Sequence, residues 1–126
     1  MPPVVFVALG GACGALARYG AGRLVAQFVD SPVPWGTWTV NLVGCLCIGM
    51  TVPFFVEGSG ADRARFFLVV GFLGSFTTFS TYSLDTLVLW GDGHGLLGLL
   101  NAVGSLACGL VLVAAGRALS AWWLGL

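Results

Sequence analysis

Gly74-Ser75-Phe76-Thr77-Thr78-Phe79-Ser80-Thr81-Tyr82-Ser83 lies inside a long apolar stretch that runs from about residue 66 to residue 90. From Ser75 to Ser83 there are seven hydroxyl-bearing side chains in nine residues, interleaved with the rings of Phe76, Phe79 and Tyr82. One or two serines or threonines in an apolar helix usually bond back to the carbonyl four residues before. Seven together, where a bilayer is driest, point to a helix broken mid-membrane, because irregular backbone persists at that depth only where it is buried or lines an aqueous path. A break frees carbonyls, which suit a cation, and N–H groups, which suit an anion.

The rest of the chain agrees with a membrane setting. Its 126 residues are 58% hydrophobic and 8% charged, with no lysine and five arginines against five acidic residues. A typical soluble domain is about 25% charged. The mean hydropathy of +0.99 excludes a soluble domain, a disordered tail and, with no basic surface, a nucleic-acid binder. Four apolar stretches, at about 4–28, 35–56, 66–90 and 96–119, each approach the roughly 20 residues that a membrane helix needs. The expected fold is therefore all-α, a single four-helix integral membrane domain over residues 1–126. The runs lack period-two alternation, which argues against an outer-membrane barrel. Pro34 suits the start of the second helix, and Trp35, Trp38, Trp122 and Trp123 suit the lipid–water interface. A polar loop, Glu57 to Arg65, separates the second and third stretches, and the turn at 91–95 holds His94, read as a solvated loop residue. The start, Met1-Pro2-Pro3, has no basic segment, so a cleaved signal peptide is not expected. Twenty glycines would weaken a soluble helix, but in a bilayer they let backbones approach closely. Cys13, Cys45, Cys47 and Cys108 fall inside apolar runs and read as small packing residues.

Four spans put Arg63, Arg65 and Arg117 on one side and Arg18 and Arg23 on the other. Orientation follows the bias in such counts, and here there is almost none. The chain is expected to insert both ways and to assemble as an antiparallel dual-topology homodimer.

Few residues in the spans bear chemistry. Asn41 is a buried amide, read either as an interhelical bond that fixes packing or as a pore-lining donor. Asn101 and Ser105 invite the same two readings. Arg18 either snorkels to the headgroups or carries function. Asp85 is either a relay or selectivity group, or a carboxylate satisfied by nearby hydroxyls. No nucleophile–base pair, phosphate loop or zinc set is present, so the sequence makes no case for an enzyme.

Three motifs resemble a known family. Gly10-Gly-Ala-Cys-Gly-Ala-Leu-Ala-Arg18-Tyr19 is similar to the GG-x-x-GA-x-x-R-[YF] signature of the CrcB or Fluc fluoride channels. Gly36-Thr37-Trp-Thr-Val-Asn41-Leu-Val-Gly44 resembles their G-T-x-x-VN-x-x-G motif, and the segment 71–83 resembles their G-x-x-G-x-x-TTFST-F-S motif. The resemblance implies a passive fluoride channel in the bacterial inner membrane that lowers cytoplasmic fluoride through two pores at a dimer interface. It also implies a structural sodium ion at the dimer centre, held by the carbonyls of Gly74 and Thr77. Asn41 would then line the pore as a donor, with Phe79 and Tyr82 as its two aromatics and Ser80 and Thr81 as hydroxyls. Asn101 and Ser105 would form a polar track, and Arg18 and Asp85 would be vestibule or structural charges. Two departures stand out. Tyr82 replaces the usual Phe, adding an O–H that either binds fluoride or hinders it, and Asp85 replaces the usual Glu.

Two rivals compete with this reading. A small multidrug-resistance transporter needs a carboxylate within the first helix, and none precedes Asp30. A non-transporting assembly subunit explains the glycines but neither the hydroxyl cluster nor Asn41.

Overall fold

The computed structural model describes residues 1–56 and 62–125, so the part of the expected polar loop at 57–61 lies outside the described residues. The fold is all-helical among those residues. Helix α1 spans Pro3–Phe28, α2 Trp35–Val56, α3 Asp62–Arg65, followed without interruption by a π-helical stretch Phe66–Leu73, then α4 Gly74–Phe76, α5 Phe79–Gly91 and α6 Gly95–Leu124. Four helical segments, Pro3–Phe28, Trp35–Phe55, Asp62–Gly91 and Gly95–Leu124, are long and apolar enough to cross a membrane. The chain is thus a multi-pass membrane protein.

The helix ends follow local chemistry. Pro2 precedes the first turn of α1, and the Pro34 carbonyl accepts the Trp38 N–H at the head of α2. Two segments outrun their expected limits. Residues 62–65 are helical rather than loop, with Asp62 in the first turn, where a negative charge favours a helix start. Helix α6 continues past Leu119 and carries Trp122 and Trp123 within it, because no breaker intervenes before Gly125, whose left-handed φ of 72° caps the helix.

Glycines set the packing. A side chain on Gly10 would strike the Phe67 carbonyl, and one on Gly14 the Phe72 carbonyl. Four residues further on, Arg18 donates from Nη1 to the Thr77 carbonyl at 3.4 Å. Positions 10, 14 and 18 lie about 6 Å apart along α1, at 1.5 Å per residue. The carbonyls they meet recur every five residues, and five α-helical residues would advance about 7.5 Å and fall out of step. Between 67 and 72 the π-helical stretch, with its i→i+5 bonds and smaller rise, keeps the two rows in register. The contact is reciprocal, since Gly71 faces the Val7 carbonyl. The pair α2–α6 uses the same device, with Gly49 against the Val113 carbonyl and Gly116 against the Leu46 carbonyl. Such close approach is how helices associate where lipid removes the hydrophobic drive.

The outside is apolar. Leu16, Leu106, Leu110 and Val111 are all exposed, and Phe79 is 79% exposed. A surface of this kind needs lipid or a protein partner against it.

Candidate functional site

Helical geometry ends at Thr77 and resumes at Phe79. Thr77 has φ −81° and ψ 157°, and Thr78 has φ −147° and ψ 118°, both extended. The motif on α2 is shaped to receive this pair. Asn41 Nδ2 donates to the Thr78 carbonyl at 3.0 Å, and the Thr78 N–H donates to Asn41 Oδ1 at 2.7 Å. One side-chain amide thus bonds both peptide groups of Thr78, whose N–H the extended backbone leaves without a helical partner. Three residues along the same face, Gly44 leaves room for the Thr77 methyl group, which a Cβ there would displace. The Thr78 hydroxyl caps α5, accepting the Thr81 N–H at 3.3 Å, and it donates to Thr81 Oγ1 at 3.0 Å. Thr77 Oγ1 bonds back to the Leu73 carbonyl at 3.0 Å.

Two grooves flank the extended pair. The larger, about 430 Å³, is lined by Asn41, Gly74, Thr77, Phe79, Tyr82 and Ser105 among others. The smaller, about 360 Å³, is lined by Arg18, Arg23, Thr37 and Thr81. Thr78 borders both. The first is mostly apolar with a few donors, while the second carries two guanidinium groups and several hydroxyls.

The residues singled out in the sequence divide as follows. Asn41, Phe79, Tyr82, Ser105, Gly74 and Thr77 share the larger groove, and Arg18 and Thr81 the smaller one. Ser80 is exposed, its hydroxyl 3.4 Å from that of Thr78. Asp85 accepts a 2.7 Å bond from Thr37 Oγ1, so a hydroxyl of α2 satisfies its carboxylate. Asn101 departs from the expected polar track. It is 1% exposed and lines neither groove. Its Oδ1 accepts from Trp38 Nε1 at 2.6 Å, and its Nδ2 donates to Thr86 Oγ1 at 2.7 Å and to the Tyr82 carbonyl at 3.4 Å. A buried amide with its polar atoms partnered is a packing element. Trp38 turns towards α6 through that bond, while Trp35 stays exposed.

Sequence reasoning missed Thr37, Trp38 and Thr86 as polar partners. Thr37 and Trp38 were legible in principle, since both lie within one turn of Asn41 on a helix whose polar residues need partners. Tyr82 also has a partner that the sequence did not indicate. Its hydroxyl donates to the Ala102 carbonyl at 2.6 Å.

Sodium can be tested against these residues. The Thr78 N–H, whose α-helical partner would be the Gly74 carbonyl, is taken by Asn41. The Thr77 carbonyl sits on extended backbone and points towards a cationic group, Arg18. Both oxygens are of the type that replaces water around a monovalent cation. Two carbonyls from one chain are too few for a full shell, so the residues fit such an ion only where a second copy adds its own.

The family model described as CrcB-like protein, Camphor Resistance (CrcB), matches residues 5–117. A protein of Salinibacter ruber named fluoride-specific ion channel FluC is 43% identical over 125 residues, 99% of this chain and 94% of its own length. The protein of that name from Thermus thermophilus is 47% identical over 116 residues, 92% of this chain and 93% of its own length. Fluoride-specific ion channel FluC 2 of Symbiobacterium thermophilum is 43% identical over 123 residues, covering 93% and 96%. With a family model spanning most of all four helical segments and relatives matched nearly end to end, this chain belongs to the CrcB family.

Proposed function

We propose that this protein is a fluoride-selective ion channel that lets fluoride leave the cell passively. The observation that carries the reading is the pairing of an arginine-lined groove with a mostly apolar one that holds an amide and a few hydroxyls, with Thr78 as their common wall. Fluoride is small and strongly hydrated, so it crosses only by exchanging water for donors of similar strength. Arg18 and Arg23 concentrate anions at the smaller groove. Thr81, Ser80 and the second N–H of Asn41 supply neutral donors, which bind without trapping. Phe79 and Tyr82 offer positive ring edges. Their centroids are 5.5 Å apart, with the planes tilted by 36°. Ser105 adds a hydroxyl on the facing helix. Asp85 is held by Thr37, a residue that lines the smaller groove. Asn101 serves by packing rather than by touching the ion.

The larger groove and the exposed face of Phe79 favour closure by a second copy, giving an antiparallel dual-topology homodimer whose third spans are broken at mid-membrane. A sodium ion between the Gly74 and Thr77 carbonyls of the two copies would offset their dipoles and join the subunits. The near-equal arginine count supports both insertions. A C-terminal label should therefore be reached from both faces of the membrane, and labelling from one face alone would remove this assembly. The carboxylate that a multidrug transporter needs in its first helix is missing from this chain, and the relatives are named fluoride channels.

Phe79→Ile removes the ring while retaining apolar bulk. Fluoride efflux from liposomes should fall about tenfold, the equivalent of roughly 1.4 kcal/mol, while the dimer still forms. An unchanged rate would take Phe79 out of the path.

A further inference from the structure

Of the two rings that line the larger groove, only Tyr82 is tethered by hydrogen bonds. Phe79 is 79% exposed, and its side chain has no polar atom to anchor it. Tyr82 is held at both ends by consecutive residues of α6. Its phenol donates to the Ala102 carbonyl at 2.6 Å, and its backbone carbonyl accepts from Asn101 Nδ2 at 3.4 Å. The carbonyl also accepts from Thr86 Oγ1 at 2.8 Å, and that hydroxyl in turn accepts from Asn101 Nδ2 at 2.7 Å. The amide has only one orientation open to it. The indole N–H of Trp38 can donate and cannot accept, so it turns the oxygen of Asn101 towards α2 and the NH₂ towards Tyr82 and Thr86.

Resting on the reading of this groove as the anion path, we infer that Tyr82 is a fixed, specificity-determining ring, and that Trp38 and Asn101 are the positioning residues that hold it. A phenol has a single proton, and here the Ala102 carbonyl takes it. The hydroxyl therefore gives a passing anion no donor, and its lone pairs would repel one. What the ion meets is the ring edge, at a place set by α6. A ring that cannot swing aside discriminates by size and slows the ion it admits. The Tyr82 phenol thus acts as a tether.

The test compares wild type, Tyr82→Phe, Trp38→Phe and the double variant in liposomes, with fluoride and chloride efflux read together. Tyr82→Phe keeps the ring and removes only the tether. Fluoride efflux should rise about three- to tenfold, the range set by the net strength of one hydrogen bond, and chloride leakage should become measurable. Trp38→Phe frees Asn101, which bonds the Tyr82 backbone carbonyl, so it should shift both rates in the same direction, and the double variant should add little to Tyr82→Phe, since both changes loosen the placement of one ring. The second readout is ¹⁹F NMR of protein labelled with 3-fluorotyrosine. The chain has only Tyr19 and Tyr82, so the signal absent from Tyr82→Phe is that of Tyr82. It should move in Trp38→Phe while the Tyr19 signal stays. An unmoved Tyr82 signal, additive rates, or wild-type rates and selectivity in Tyr82→Phe would overturn the inference. A wild-type chain that carries no fluoride would instead sink the channel reading, and the Tyr82 signal would still decide whether the tether exists.

Discussion

Asn41→Asp should reduce fluoride efflux by at least about a hundredfold, which corresponds to roughly 2.7 kcal/mol on the barrier. The replacement is nearly isosteric, so the effect isolates one N–H₂ group. In the native chain that group donates to the Thr78 carbonyl while the amide oxygen receives the Thr78 N–H. A carboxylate keeps the second bond and loses the first. It places a negative oxygen against a carbonyl oxygen at the one site where the third segment has left helical geometry. The Thr78 carbonyl thereby loses its side-chain donor and faces a negative oxygen in its place. The new charge also repels an anion in the groove that Asn41 lines. Protonation of the aspartate would restore a donor but not the amide geometry. Efflux measured with a fluoride electrode on protein that still elutes as a folded species checks this, and wild-type flux in Asn41→Asp would show that Asn41 is neither donor nor brace.

The second large effect concerns assembly. Gly14→Leu should yield no monodisperse protein, and Gly14→Ala should already be destabilised by about 3 kcal/mol, at the upper end of overpacking costs. The reason is the nature of the neighbour. A Cβ at Gly14 meets the carbonyl and Cα of Phe72, which are backbone atoms that no rotamer change can move away. Separating the helices to make room would also pull Arg18 from the Thr77 carbonyl and Gly10 from Phe67, because the three contacts share one face. Gly20 lies on the same helix, and a Cβ there meets nothing within 4 Å. Gly20→Ala should therefore be neutral or stabilising, by up to about 1 kcal/mol from helix propensity. Size-exclusion profiles and thermal unfolding in detergent separate the two variants. Equal behaviour would mean that α1 does not pack through its glycines.

How far the sequence discloses this protein depends on the kind of signal. Helix number and position follow from apolar runs, which local composition determines. That is why α1 and α2 begin and end close to the expected limits of 4–28 and 35–56. The end of α6 was less legible, since hydropathy declines at Leu119 but the helix stops only where Gly125 turns left-handed. The π-helical stretch has no signature in its own residues, Phe66 to Leu73. It answers to the spacing of Gly10, Gly14 and Arg18 on another helix, a tertiary match that no local window contains. The candidate site divides along the same line. Asn41 and the hydroxyl run stand out because polar groups are conspicuous in an apolar chain. What each one touches depends on partners far away in sequence. Asn101 looked like Ser105, four residues along one face, yet Trp38 and Thr86 claim it. The Tyr82 hydroxyl was open to binding an anion or hindering it, and its bond to the Ala102 carbonyl has no trace in the local sequence.

The central claim is that this chain alone forms a path for fluoride that chloride does not use. Liposomes containing only the purified protein, loaded with both anions and read by fluoride and chloride electrodes in parallel, test it most directly. The account predicts rapid fluoride efflux with chloride retained. Chloride leaving as fast as fluoride, or no fluoride flux from folded dimeric protein, would contradict it.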